Sequence, residues 1–220
     1  MYADRTEAGR RLASLLLRFE TERPVVLALP RGGVPVALEI ATRLNAPLDL
    51  LLVRKIGVPW QPELAAGAVV DGEHPIVVTN DDVMSLAGVS RAYIEQAAKE
   101  QLAEIERRRK LYLHGRAPLP VAGRTAIIVD DGIATGATMR AGLRALKLRG
   151  PQKLVLAVPV AAASTLADLR AEVDEVVCPL APEDLGAIGY FYRDFRQVSD
   201  EEVGDMLRRA PNPVEGPAST

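Results

Sequence analysis

The residues best suited to chemistry stand in one run, Ala126-Ile127-Ile128-Val129-Asp130-Asp131-Gly132-Ile133-Ala134-Thr135-Gly136-Ala137-Thr138-Met139. An apolar strand ends in two adjacent carboxylates, Asp130 and Asp131, and a loop of small residues then opens a helix. In an open α/β sheet, ligands bind beyond the carboxyl ends of the strands, and a loop entering a helix presents free backbone N–H groups to an anion. Thr135, Gly136, Ala137 and Thr138 would supply those N–H groups and two hydroxyls, with Gly136 letting the backbone approach a phosphate closely. The carboxylates cannot share that phosphate, because like charges repel. They suit vicinal hydroxyls, or hydroxyls together with a magnesium ion. A phosphate beside a diol describes a ribose 5-phosphate. The plainest alternative is a strand-to-helix junction capped by Asp131 or Thr135, but one cap needs only one such residue.

Two further segments end strands in the same manner. Val26-Leu27-Ala28-Leu29-Pro30-Arg31-Gly32-Gly33-Val34-Pro35 reads as a strand, a turn with paired glycines and a helix start. Val53-Arg54-Lys55-Ile56-Gly57 ends a second strand with two cations on the same edge of the sheet. Taken alone, the first is ordinary turn chemistry and the second a pair of surface charges.

The elements that must position these loops alternate short runs of Val, Ile and Leu with stretches of helical period, the pattern of an α/β protein with a mainly parallel sheet. Strands are expected at Val25 to Leu29, Leu48 to Val53, Thr125 to Val129, Leu154 to Val158 and Glu175 to Cys178, each nearly continuous in apolar residues. Helices are expected over Val34 to Leu44, Met139 to Leu148 and Ala161 to Arg170, with another over Glu7 to Phe19 packing beside the first strand. Between the second and third strands lies an excursion, Gly57 to Gly123, too long for a plain crossover. It contains an Asp71-Gly72 turn between apolar runs, which reads as a hairpin, and a long charged helix from Arg91 to Leu113 with apolar positions Ile94, Ala98, Leu102 and Ile105, taken as an insertion or arm.

On these residues the chain resembles the type I phosphoribosyltransferases. The run Val129 to Thr138 looks like the family's signature for 5-phosphoribosyl 1-diphosphate, which implies that Asp130 and Asp131 hold the ribose 2- and 3-hydroxyls and that Ala134 to Thr138 wrap the 5-phosphate. The segment around Pro30 is similar to the family's diphosphate loop, implying Arg31 as the charge and Gly32 as the close backbone contact. Arg54 and Lys55 resemble an Arg-Lys pair that helps hold the diphosphate. The resemblance spans Asp4 to Arg209, including Gln61 to Ala68 and Tyr192 to Phe195, and is to phosphoribosyltransferase-domain proteins of unassigned acceptor.

The fold implied is a parallel sheet flanked by helices with a small hood, as one domain over 1–209, with the excursion over 57–123 and a flexible tail over 210–220. The reaction implied transfers ribose 5-phosphate to a nitrogenous base or amine with release of diphosphate, a step of nucleotide metabolism. Asp130, Asp131 and Lys55 would be the catalytic positions, magnesium the cofactor, and Gly57 to Leu64 a segment able to close over the site. A homodimer fits the family. The rival on the same fold is a non-catalytic regulator that senses the donor or a nucleotide.

Composition narrows the partners. Lys and Arg number 27 against 29 Asp and Glu, so no global positive field exists to hold a nucleic acid. Aromatics are 4% of residues, which disfavours stacking platforms except at Gly189-Tyr190-Phe191-Tyr192-Arg193-Asp194-Phe195, where Phe191 or Tyr192 is a candidate to stack a base. Arg107-Arg108-Arg109-Lys110 reads as a solvated helix end, Asn80-Asp81-Asp82 as a helix start, and Cys178 as a buried strand residue. His74 and His114 lack metal-ligand spacing. Phosphate-binding G-x-x-x-x-G-K-[ST], dinucleotide G-x-G-x-x-G, H-E-x-x-H and G-x-S-x-G motifs are absent. With neither a signal-peptide core nor an apolar run of membrane length, the expected address is the cytoplasm.

Overall fold

The computed structural model describes residues 1–72 and 74–211. In chain order the elements are α1 (Arg5–Leu16), β1 (Val25–Ala28), α2 (Gly33–Leu44), β2 (Leu48–Leu50), β3 (Val53–Val58), β4 (Gln61–Val70), β5 (Ile76–Thr79), α3 (Asp81–Ala87) and α4 (Arg91–Leu113). They continue with β6 (Thr125–Val129), α5 (Ala137–Leu148), β7 (Lys153–Ala157), α6 (Ala163–Leu169), β8 (Glu175–Val177) and α7 (Asp200–Arg209). Short 3-10 turns follow α1 and α6 and precede Tyr192.

Five strands form a parallel sheet in the order β2-β1-β6-β7-β8. Its central strands are buried on both faces, which is why they read as unbroken apolar runs. Val26, Ala28, Ile127 and Val129 point to the face covered by α1, α2, α4 and α7. Leu27, Ile128, Leu154 and Leu156 point to the face covered by α5 and α6. The expected parallel sheet flanked by helices is therefore present. α1 packs chiefly on α2 and not, as expected, beside β1, because α2 itself covers β1.

The second strand ends earlier than its apolar run suggests. β2 stops at Leu50, and Val53, Arg54 and Lys55 begin β3, which belongs to a separate antiparallel sheet of order β3-β4-β5. The switch is made by Asp71, whose carboxylate accepts from the Leu52 N–H at 2.7 Å while its own N–H donates to the Leu52 carbonyl at 2.9 Å. Those bonds take the place of a continuing parallel ladder. The expected hairpin around Asp71-Gly72 is the β4–β5 pair, and β4 runs back to Gln61 to form a second hairpin with β3. The β3–β4 register shifts at Gly57, where a Cβ would press on the backbone of Pro62. Its tip carries Trp60, 66% exposed.

α4 is not a free arm. Capped by Ser90, whose hydroxyl accepts from the Tyr93 N–H, it buries Ile94, Ala98 and Ile105 and packs against β3, β4 and α7. Its basic end is only partly a solvated face. Arg107 and Arg108 pair with Glu104, but the almost buried Arg109 places Nη1 2.6 Å from Asp71 Oδ2 and Nη2 3.2 Å from Asp49 Oδ2. Burial pushes the Asp71 carboxyl up to about 6, against the lowering pull of Arg109. The cluster pins the helix end to both sheets.

The other minor expectations divide. Asn80 does cap α3. Cys178 lies just past β8, half-buried, with its thiol pushed up to about 11 by burial. From residue 212 the expected tail lies outside the described residues. Among those described, no helix is long and apolar enough to cross a membrane.

Candidate functional site

The carboxyl ends of β1, β2 and β6 open on one side of the sheet, and the three segments singled out by their residue types meet there. After β1 the chain turns through Pro30-Arg31-Gly32, with a cis peptide bond between Pro30 and Arg31. After β6 it turns through Asp130 and Asp131. The two loops are in direct contact. A Cβ on Gly32 would overlap the Asp131 carboxylate, and one on Gly33 would lie 2.8 Å from the Val129 carbonyl oxygen. Paired glycines are thus required by the acidic loop itself.

Beside this junction lies a cavity of about 200 Å³ lined by Leu29, Pro30, Leu51, Leu52, Val53, Arg54, Arg108, Asp130 and Thr138. It brings together an aspartate, two arginines and a threonine at the strand ends. Burial, then the neighbouring Asp131 charge, pushes the Asp130 carboxyl well above the usual carboxylate range. Burial also raises Asp131, and Arg5 opposes that rise.

Asp131 faces elsewhere. Its Oδ2 takes a 2.7 Å bond from Arg5 Nε, its backbone carbonyl accepts from the Tyr192 hydroxyl at 2.6 Å, and its N–H donates to Asp130 Oδ1. Arg5 is held in turn by the Arg196 carbonyl and by the face of Phe195, 3.9 Å from the ring centroid. Tyr192 stacks on Phe195 and leans on Tyr2. Tyr192 is therefore a buried support of the acidic loop and not an open stacking face, whereas Tyr190 is 73% exposed.

The loop from Ala134 to Thr138 is built to present backbone. Gly136, at φ +73°, is the N-cap of α5, with no side-chain cap from Asp131 or Thr135. The first-turn N–H groups of Ala137 and Thr138 have no partner within the helix. Ala134, Thr135, Ala137 and Thr138 are exposed, and the loop is tied down by Thr165, whose hydroxyl donates to the Ala134 carbonyl at 2.6 Å.

The cations separate more than their spacing suggests. Arg54 and Lys55 alternate along β3, so they leave it on opposite faces. Arg54 reaches the Asp130 cavity, its Nε donating to Gln101 Oε1 of α4 at 3.0 Å. Lys55 bonds Glu63 at 3.1 Å and lines a second cleft of about 180 Å³, against α5, with Arg140 and Arg144. Arg31 is half-buried and turned to Asp200 of α7, 3.5 Å away. Sequence reading missed Arg5 and Arg108. For Arg108 a signal existed, since it stands two helical turns after Gln101 on the same face of α4. Arg5 carries none.

For magnesium, the chain offers Asp130 as an oxygen donor lining the cavity, and among the described residues no group of three or more acidic, His or Cys side chains is placed to hold a metal ion. That set fits an ion held mainly by a bound phosphate ligand, not a dedicated protein cage.

Comparison with known proteins adds a family. Residues 3–194 match the model of the phosphoribosyl transferase domain. A Mycobacterium tuberculosis protein provisionally named a phosphoribosyl transferase is 47% identical over 210 residues, covering 96% of this chain and 47% of that one. A ribose-phosphate pyrophosphokinase of Parasynechococcus marenigrum is 35% identical over 181 residues, covering 78% of this chain and 50% of its own. The chain thus spans about half the length of these curated relatives. The crystal structure of a Thermus thermophilus protein superposes with a TM-score of 0.84 at 40% identity, covering 96% of this chain and all of that one.

Proposed function

Because this chain belongs to the phosphoribosyl transferase domain family, we propose that its site binds 5-phosphoribosyl 1-diphosphate and transfers the ribose 5-phosphate unit to a nitrogenous base or amine, releasing diphosphate. The observation that carries the reading is the cavity lined in common by Asp130, suited to hydroxyls, and by Arg54 and Arg108, suited to phosphate, beside an α5 N-terminus left open by Gly136.

In this reading Ala134 to Thr138 hold the 5-phosphate through backbone N–H groups and the Thr135 and Thr138 hydroxyls. Asp130 accepts from a ribose hydroxyl, and Asp131 does so when it exchanges with Arg5. Holding both ends of the donor presents carbon 1 in line to the acceptor nitrogen, which attacks as the bond to diphosphate breaks. Cations on the diphosphate side stabilise the charge that collects on the leaving group. Magnesium carried by the diphosphate beside Asp130 would supply further neutralisation of that charge. The hairpin tip between Gly57 and Leu64 would cover the site and limit hydrolysis.

The test is titration calorimetry with the donor in magnesium buffer, followed by diphosphate release across a panel of purines, pyrimidines and amines. Donor binding with acceptor-dependent release supports the transferase. One observation favours the second reading, a regulator that senses the donor: Asp131 and Lys55 are both engaged by protein partners, Arg5 and Glu63. Saturable donor binding with no release on any acceptor would favour it.

A further inference from the structure

We propose that Arg108, on the long helix α4, is a binding residue for the diphosphate end of the donor; this rests on the reading of the Asp130 cavity as the donor site. The family resemblance implies Arg31, Arg54 and Lys55 as the diphosphate cations, and the structure distributes them differently. Arg31 faces Asp200, and Lys55 leaves β3 on the side away from Arg54. The two arginines that line the cavity with Asp130 are Arg54, from β3, and Arg108, from the inserted helix.

The helix is built to hold Arg108 there. The next residue, Arg109, is locked between Asp49 and Asp71, and one turn on, the Tyr112 hydroxyl donates to Asp200 Oδ1 at 2.7 Å. These bonds fix both the rotation and the height of α4. Two turns before Arg108, Gln101 orients Arg54, so one helix face supplies one cation and positions the other. Glu104 accepts from Arg108 Nε at 2.8 Å, which leaves the two terminal nitrogens for a ligand. A planar guanidinium presenting two parallel N–H groups matches a phosphate, and two such groups facing one cavity match a diphosphate better than a monophosphate.

The experiment compares wild type, Arg108→Ala, Arg108→Lys and Arg107→Ala in calorimetric titrations with three probes: 5-phosphoribosyl 1-diphosphate, inorganic diphosphate and ribose 5-phosphate. Thermal melts confirm that each variant is folded. Arg107 shares Glu104 but is exposed, so it serves as the charge control. Arg108→Ala is expected to weaken the donor and inorganic diphosphate at least tenfold while leaving ribose 5-phosphate unchanged. Arg108→Lys should restore part of the loss, and Arg107→Ala should bind all three probes as wild type does. Unchanged diphosphate affinity in Arg108→Ala, or an equal loss of ribose 5-phosphate, overturns the role of Arg108 while leaving the donor reading intact. Wild type that binds neither donor nor diphosphate overturns both.

Discussion

Arg5 Nε lies 2.7 Å from Asp131 Oδ2, joining residues 126 positions apart, with side chains only 11% and 12% exposed. This cation counteracts the burial that pushes the Asp131 carboxyl up. Arg5→Met keeps an apolar stem over Phe195 and removes the charge. Without Arg5, the Asp131 carboxyl should move further up. A site that needs ionised carboxylates to accept hydroxyls should then reach full donor affinity only at higher pH, with its midpoint displaced upward. Donor titrations from pH 5 to 9 check this, and an unmoved midpoint counts against the pairing as a tuning device.

Asp130 sets function against stability. Its folded-state pKa is raised, so its neutral form is favoured by folding, and that contribution is lost as pH rises through the raised value. Asp130→Asn imitates the neutral form. At pH 8 it should melt at or above the wild-type temperature, with the gain shrinking towards pH 5, while donor affinity falls at least tenfold. Scanning calorimetry at the two pH values, paired with donor titration, reads both halves of the expectation. Wild-type affinity would remove Asp130 from the site.

Gly136 has two reasons to be glycine. Its φ of +73° strains any L side chain, and a Cβ there would lie 2.7 Å from Thr165 Cγ2. Gly136→Val should therefore displace the loop from its anchor on Thr165 and abolish ribose 5-phosphate binding, with inorganic diphosphate still bound. Equal loss of both ligands would point to global damage.

Arg109 is the test of the buried cluster. Arg109→Met strands Asp49 and Asp71 without their shared cation, and breaking a buried pair typically costs about 3–5 kcal/mol, measurable by urea unfolding. Asp71→Asn adds a pH signature. With a folded-state value of about 6, above its ordinary 3.8, Asp71 stabilises the fold fully at low pH and loses that contribution as pH rises through about 6. The destabilisation caused by Asp71→Asn should consequently be largest near pH 4 and decline towards pH 7.

Much of this architecture is written locally. β1, β6 and β7 are apolar runs buried on both faces, and the helices after them carry clear apolar faces, so they could be read from periodicity. The loops that converge, at Pro30 to Gly33 and at Asp130 to Thr138, announced themselves because glycine, acid and hydroxyl were crowded beyond what a turn needs. The end of β2 was illegible, since Leu51-Leu52-Val53 continues the apolar run and the break depends on Asp71, 19 residues away from Leu52. Lys55 illustrates a second limit. Two adjacent cations look like a pair in sequence, yet alternation along an extended strand sends them to different cavities. Arg109 illustrates a third, because a buried arginine in a basic run looks like its solvated neighbours until the carboxylates of Asp49, in β2, and Asp71, just past β4, are found beside it.

Tyr2 is bonded to the other end of the fold: its N–H donates to the Phe191 carbonyl, and its carbonyl accepts from the Arg193 N–H at 2.9 Å. This orders events on the ribosome. A nascent chain exposing Asp130 and Asp131 still lacks Tyr192, Phe195 and Arg196, which hold Asp131 and Arg5 in place. The two carboxylates thus await the closing segment, and their loop is held in place only once the chain has been translated through Arg196.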